Sequence, residues 1–308
     1  MTINYRSKSD KRMSLKDAIS TFVQDGCTIA FGGMGGSENL AEAKEIIRQK
    51  KKDLTFIGDS PCDPCDWLIG VGALKRLEIA YLGLALPGPS YNFRRAFQDK
   101  IPFEIEIEEY SNFTIGLRYL AGAMGVPYLP TKSLLGSDIA KNNPRVITTT
   151  DPYKNEPIAL VPAANPDVGI VHVFRCDKKG NSQLFGYTSN VENIARAAKH
   201  TIVTCEEIVS TDEIRRHGNL TIIPEYAVDA VVELPFACHP FNMPYAYAYD
   251  MPFGRDYQAQ SRTREGFLEW IHEYVYDLPD HEAYCAKVGW DRLMKLQQIE
   301  RKYSHLPY

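Results

Sequence analysis

The stretch from Cys27 to Lys52 constrains the fold more than any other. Cys27-Thr-Ile-Ala-Phe31 is short, apolar and β-branched, which predicts a buried strand. Gly32, Gly33, Gly35 and Gly36 then remove the Cβ atoms where a strand must turn into a helix, so the backbone can bend sharply and approach a ligand. Asn39, with Glu42 three residues on, has the spacing of a capping box, and Leu40, Ala43 and Ile47 share one helical face. A strand, a glycine loop and a helix N-terminus in this order form a site for an anion, because unpaired N–H groups and the helix dipole converge on the loop. A tight turn required only by the fold is the alternative.

The rest of the chain alternates strands and helices. Leu54–Ile57, Leu77–Leu82, Ile158–Pro162, Val168–Phe174, Thr201–Cys205 and Ala227–Leu234 read as strands. Helices are expected from Ser14 to about Gln24, after Glu109 to Met124, at Val191–Ala198, at Glu206–Arg216, and from about Arg262 to Tyr303 in two pieces. This order predicts an α/β fold with a mostly parallel sheet covered by helices on both faces. Residues 1–13 read as a flexible basic arm and 14–308 as the folded domain. Thr131–Asn143 is the stretch best suited to a mobile loop over a site.

Ligands of such sheets bind outside the carboxyl ends of the strands. The glycine loop, Asp59, Glu109 and His239 are expected there. In Ile101–Glu109, Glu104, Glu106 and Glu108 alternate with apolar residues, the pattern of a strand with one solvated face. Glu109 falls by parity on the apolar face. A carboxyl buried there would have its pKa raised and would be a candidate acid, base or nucleophile; if the strand has already ended, it is wet. His239, before a proline in an aromatic loop, is a candidate to line the site. His172, in an apolar strand, reads as a hydrogen-bonded core residue.

Other chemistries find little support. The net charge of −4 and pI of about 6.0 give no basic field for nucleic acid. No apolar run is long enough for a membrane span, and the polar start MTINYRSKSDKRMS has no signal core, so a cytoplasmic location is expected. Seven scattered cysteines do not make a disulfide framework, and Cys62-Asp-Pro-Cys65 lacks the second pair a zinc site needs, so no metal is expected. Gly33-x-Gly35 followed by Asp59 partly matches a dinucleotide fingerprint, but its third glycine falls on Glu38, an acid that would meet the pyrophosphate. No Walker lysine and no Gly-x-Ser-x-Gly elbow is present.

An ordered series of segments carries a family resemblance. It runs through Ser14-Leu-Lys-Asp-Ala-Ile19, Ile29-Ala-Phe-Gly-Gly33, Asp66-Trp-Leu-Ile-Gly70, Arg94-Arg95, Glu108-Glu-Tyr-Ser111 and Gly125-Val-Pro-Tyr-Leu-Pro130. In the second half follow Asp167-Val-Gly-Ile-Val-His172, Lys199 to Ile208, Glu213-Ile-Arg-Arg216, Val228 to Val232, His239-Pro240 and Tyr276 to His281. The chain resembles the α subunit of class I CoA-transferases of the glutaconate CoA-transferase type. The resemblance implies the CoA-transferase fold, assembly with a homologous β subunit in a hetero-oligomer, and acyl-CoA as substrate. CoA would be a co-substrate, with no bound cofactor.

It also implies that the nucleophilic glutamate comes from the β subunit, forming an acyl-glutamyl anhydride and then a glutamyl-CoA thioester. Gly32, Gly33, Gly35, Gly36, Ser90 and His239 are then expected to line the substrate and CoA site, with Glu109 the candidate catalytic residue. Ser37-Glu38-Asn39 is similar to the signature around the β-subunit glutamate. It follows the first strand and has Leu40 where that signature has glycine, so Asn39 is read as a cap and Glu38 as outside the chemistry. A related group opens a carbon ring of acyl-CoA steroid fragments by hydrolysis with an α-subunit glutamate near Glu108-Glu109. On that reading Glu109 is a general base.

Overall fold

The computed structural model describes residues 4–84 and 88–304. From the N-terminal side, α1 (Leu15–Phe22) leads into β1 (Thr28–Phe31), α2 (Leu40–Arg48), β2 (Leu54–Gly58), α3 (Asp63–Gly70) and β3 (Leu74–Ile79). The short α4 (Tyr91–Arg94) precedes β4 (Glu106–Glu109) and α5 (Asn112–Met124). An excursion follows, with β5 (Tyr128–Thr131), α6 (Asp138–Asn142), β6 (Ile147–Thr150) and β7 (Pro157–Pro162). The chain returns through β8 (Val168–Asp177), β9 (Ser182–Gln183), α7 (Val191–Ala197), β10 (His200–Val209), α8 (Thr211–Arg216), β11 (Thr221–Ile223) and β12 (Ala230–Glu233). The helices α9 (Met251–Gln260), α10 (Arg264–Ile271), α11 (His281–Val288) and α12 (Trp290–Tyr303) close it.

The main sheet has a parallel core in the order β4-β3-β2-β1-β8-β10-β12. β9 and β11 add antiparallel pairs beyond the end of β1, along the far half of β8. Every residue of β8 is buried, its apolar start and its polar His172, Arg175 and Asp177 alike, as befits a strand covered on both faces. α1, α2 and α3 pack together in one helical layer, and α5 with α7 in another. β5, β7 and β6 form a separate antiparallel sheet, and α6 occupies the stretch expected as a mobile loop. Strand order reverses at β1, which lies between β2 and β8. The glycine loop therefore leaves the sheet at a topological switch point.

Local chemistry explains several boundaries. Ser14 caps α1 as expected, its Oγ accepting the Asp17 N–H at 3.0 Å. The helix expected at Glu206–Arg216 begins only at Thr211, and β10 runs on to Val209. Pairing overrides the helical preference of Glu206 and Glu207, because Glu207 lies opposite Arg175 while the Glu206 carboxylate accepts from Phe236 N–H and Tyr247 O–H, each at 2.8 Å. The strand expected over Ile101–Glu109 shrinks to Glu106–Glu109.

Residues 4–13, read as a flexible arm, pack along the β12 edge. Met13 N–H donates to Val231 O, and Val231 N–H donates to Lys11 O. The Lys11 side chain is buried, with Nζ on the Glu225 carbonyl at 2.5 Å, and Arg6 pairs with buried Asp229 at 3.1 Å.

Candidate functional site

The glycines do different jobs. Gly32 prolongs the β1–β8 pairing through its N–H to Ile170 O at 2.9 Å, and a Cβ on it would stand 2.9 Å from Val171 and 3.0 Å from Val191. It is a packing glycine. Gly33 has φ +87°, and its Cβ would meet Ser37 O at 2.5 Å, so the loop coils too tightly for any side chain there. Gly35 has φ +71°, with the Tyr187 hydroxyl 2.8 Å from where its Cβ would be. Gly36 runs beside Asn242 and Pro244, and Ser37 N–H is bonded to Asn242 O at 3.2 Å. Thus Gly33 and Gly35 lie at the switch point, while Gly32 and Gly36 fix the loop to its surroundings.

The loop's expected capping differs in detail. Asn39 stands at the N-cap of α2, but its side chain accepts no backbone N–H; its Nδ2 instead donates to Glu42 Oε1 at 3.1 Å. α2 is buried from Leu40 to Ile47, with Glu42, Lys44 and Glu45 included.

The residue that the loop organises is Glu38. Its side chain folds back so that Oε1 accepts the Gly35 N–H at 3.0 Å. Glu38 is only 3% exposed and borders a small, partly open space of about 10 Å³, room for about one water, with Phe31, Gly33, Phe56, Asp59 and Cys62. Burial pushes its carboxyl up to about 8; the Gly35 N–H opposes this, and the charges of Asp63 and Asp59 add to it. Asp59 is held at the end of β2 by the Ser60 N–H at 2.7 Å and by Asn190 Nδ2 at 3.0 Å, and burial raises it too. Tyr187, half exposed, stands on the outer side of the loop, and burial raises its hydroxyl's pKa. Sequence reasoning sets Glu38 aside and misses Tyr187. A carboxylate two residues after the glycine-rich stretch Gly32–Gly36 is the available signal for the first.

Other expected site residues fall elsewhere. Glu109 ends the edge strand β4 opposite Ile79 and is exposed; Asn143 Nδ2 donates to its carbonyl at 2.9 Å, and its side chain has no hydrogen-bond partner among the described residues. The burial expected of it belongs to Glu108, which is bonded to Arg76 and to the Tyr110 hydroxyl. Arg76 on β3 lies across from Glu106 and Glu108, so the face expected to be solvated is a charge ladder. Ser90 precedes α4, buried, with an Oγ that has no hydrogen-bond partner among the described residues. Its neighbour Asn92 is tied through Asp66 to Tyr257, so this corner belongs to the α3–α9 packing.

His239 is wholly buried: its Nε2 faces Asp250 at 3.0 Å and its Nδ1 the Tyr284 hydroxyl at 2.7 Å. Both ring nitrogens are engaged inside the protein, which removes it from ligand contact. Burial lowers its pKa to about 4.

Cys62 and Cys65 are free thiols at the start of α3, and burial raises both well above the ordinary value. His172, Glu206 and Cys238 offer ligand atoms within 4.8 Å of one another, a grouping with metal-binding chemistry. His172 and Glu206 are already engaged in a protein network. His172 bonds Thr204 and Glu206, each at 2.8 Å, and Tyr247 bonds Glu206.

Comparisons with known proteins agree with this architecture. The family model described as Coenzyme A transferase matches residues 12–234. An uncharacterized protein of Archaeoglobus fulgidus is 42% identical over 96% of this chain; the chain spans 66% of that relative's length. The α subunit of the glutaconate CoA-transferase of Acidaminococcus fermentans is 36% identical, with 96% of this chain and 97% of the relative covered. The crystal structure of glutaconate coenzyme A-transferase from the same organism superposes with a TM-score of 0.88 at 35% identity, over 93% of this chain and 95% of the matched chain. With its parallel sheet, its glycine loop at the switch point and these relatives, the chain belongs to the coenzyme A transferase family.

Proposed function

We propose that this chain is the α subunit of a two-subunit CoA-transferase, which moves CoA between an acyl-CoA and a free carboxylic acid. The observation that carries the reading is the nearly end-to-end likeness to the α subunit of a glutaconate CoA-transferase. The glycine loop at the switch point supports an acyl-CoA pocket there. In this reading the nucleophilic carboxylate comes from the partner subunit. It attacks the thioester carbon and CoA leaves as the thiolate; CoA then attacks the glutamyl carbonyl of the resulting anhydride, giving a glutamyl-CoA thioester and releasing the donor acid as carboxylate. The acceptor carboxylate attacks that thioester, expelling CoA, which opens the new anhydride at the acceptor's acyl carbon and frees the glutamate.

Glu109 keeps a role only if the partner covers the β4 edge, since in this chain it faces solvent. The hydrolytic alternative, with Glu109 as general base, lacks the burial expected of it, since Glu109 is exposed at the β4 edge.

The test is exchange between an acyl-CoA and a free acid, followed chromatographically. The isolated chain is expected to give none and the complex with its partner subunit to give turnover. Borohydride trapping and peptide mapping should place the adduct on the partner; an adduct on this chain overturns the reading. Glu109→Gln in the complex is expected to retain exchange.

A further inference from the structure

A glycine loop at a strand end offers backbone N–H groups to an anion. Here the chain's own Glu38 takes that place. Its Oε1 accepts the N–H of Gly35 at 3.0 Å, and its other oxygen has no hydrogen-bond partner among the described residues. The residue is 3% exposed and stands beside a space about the size of one water. The charged groups facing it are Asp59, from the end of β2, and Asp63, from α3, and both disfavour a charge on it. The Cys62 thiol and the Tyr187 hydroxyl complete its surroundings. An ionised carboxylate with a single N–H donor and two acids nearby is poorly stabilised, whereas a neutral acid needs one donor and can itself donate.

We propose that Glu38 is a catalytic acid of this site, a carboxyl that keeps its proton and presents it from Oε2 to the acyl oxygen of a bound CoA thioester while Gly35 holds Oε1. The proposal rests on the reading that this end of the sheet lines the acyl-CoA pocket. As the incoming carboxylate bonds to the thioester carbon, the C=O pair moves onto oxygen and the Glu38 O–H hydrogen bond to it strengthens. As the C–S bond breaks, the pair returns and CoA leaves as the thiolate. Glu38 holds its proton throughout, so it acts as an oxyanion donor and no net proton is transferred. The buried position is what keeps the acid neutral, and the value of about 8 places its loss of function at alkaline pH.

The experiment uses the complex of this chain with its partner subunit, with glutaryl-CoA and acetate as probe pair. In the wild type, exchange is expected to fall as pH rises through about 8. Glu38→Ala should lower kcat about 100-fold, the size of a lost oxyanion donor. Glu38→Gln keeps a weaker donor of the same shape, so it should lower kcat less than alanine does and abolish the alkaline fall. An alanine variant within twofold of the wild type, or a glutamine variant that retains the alkaline fall, overturns the proposal.

Protonation is read separately, in the protein without substrate, as the carbonyl stretch of a neutral carboxyl in the infrared difference between wild type and Glu38→Gln at neutral pH. Absence of that band overturns the proposal whatever the activity. Its presence in a complex that exchanges CoA with no acyl-CoA overturns the transferase reading and the catalytic role with it, and leaves the neutral acid standing.

Discussion

Two buried titratable residues pull stability in opposite directions with pH. His239 is neutral in the fold, with a pKa lowered to about 4 from an ordinary 6.5. Between those values the unfolded chain binds a proton that the folded chain does not, so stability is full above about pH 6.5 and is lost as pH falls toward 4. Thermal melts across that window should show the loss, and His239→Asn should flatten it while destabilising the protein at neutral pH through the broken contacts to Asp250 and Tyr284. Glu38 has the reverse sign. Its folded pKa of about 8 exceeds the ordinary 4.5, so the folded chain binds the extra proton and stability declines as pH rises from 4.5 to 8. Glu38→Gln should therefore be more stable than the wild type at pH 8, by on the order of 4 kcal/mol, read from the denaturant midpoint. A destabilised glutamine variant would show that the carboxylate form is needed by the fold.

At the scale of elements, the loop after β1 holds its shape by backbone geometry. Gly33→Ala places a Cβ at 2.5 Å from Ser37 O in a left-handed conformation. It should cost about 2 kcal/mol or more and disturb the Gly35–Glu38 hydrogen bond. Ser14→Ala removes only a cap and should cost about 1 kcal/mol without touching the site. Denaturant curves of the two variants, compared with exchange by the complex, separate a local effect on the loop from general destabilisation. The elements also show where sequence patterns mislead. Alternating glutamates in 104–108 resemble a wet strand face, yet Arg76 on β3 turns Glu106 and Glu108 into ion-pair partners and Glu109 outward. Local propensity favours a helix at Glu206-Glu207, but pairing with β8 extends the strand. Both reversals depend on a residue distant in sequence.

Across the whole molecule, residues 4–13 close the β12 edge of the main sheet. Deleting residues 1–13 removes the Arg6–Asp229 and Lys11–Glu225 contacts and exposes that edge. The truncated chain should lose on the order of 3 kcal/mol in unfolding free energy, read from its denaturant midpoint; unchanged stability would support the arm reading. The alternation of apolar strands with helices, the glycine loop after the first strand and the Ser14 cap were legible in the sequence because each is set by near neighbours and by periodicity. The same is true of the ordered segments that resemble CoA-transferases. Which carboxyl is buried was not legible. Glu38 and Glu109 look alike as letters, and only the tertiary structure folds one back onto Gly35 between Asp59 and Cys62 and leaves the other in solvent. His239 likewise needed Asp250 and Tyr284, from α9's cap and α11, to become a core residue. Sequence by itself determined the strand–loop–helix frame, which local sterics impose. Desolvation, which decides what each acid and histidine can do, is set by residues brought together from across the chain.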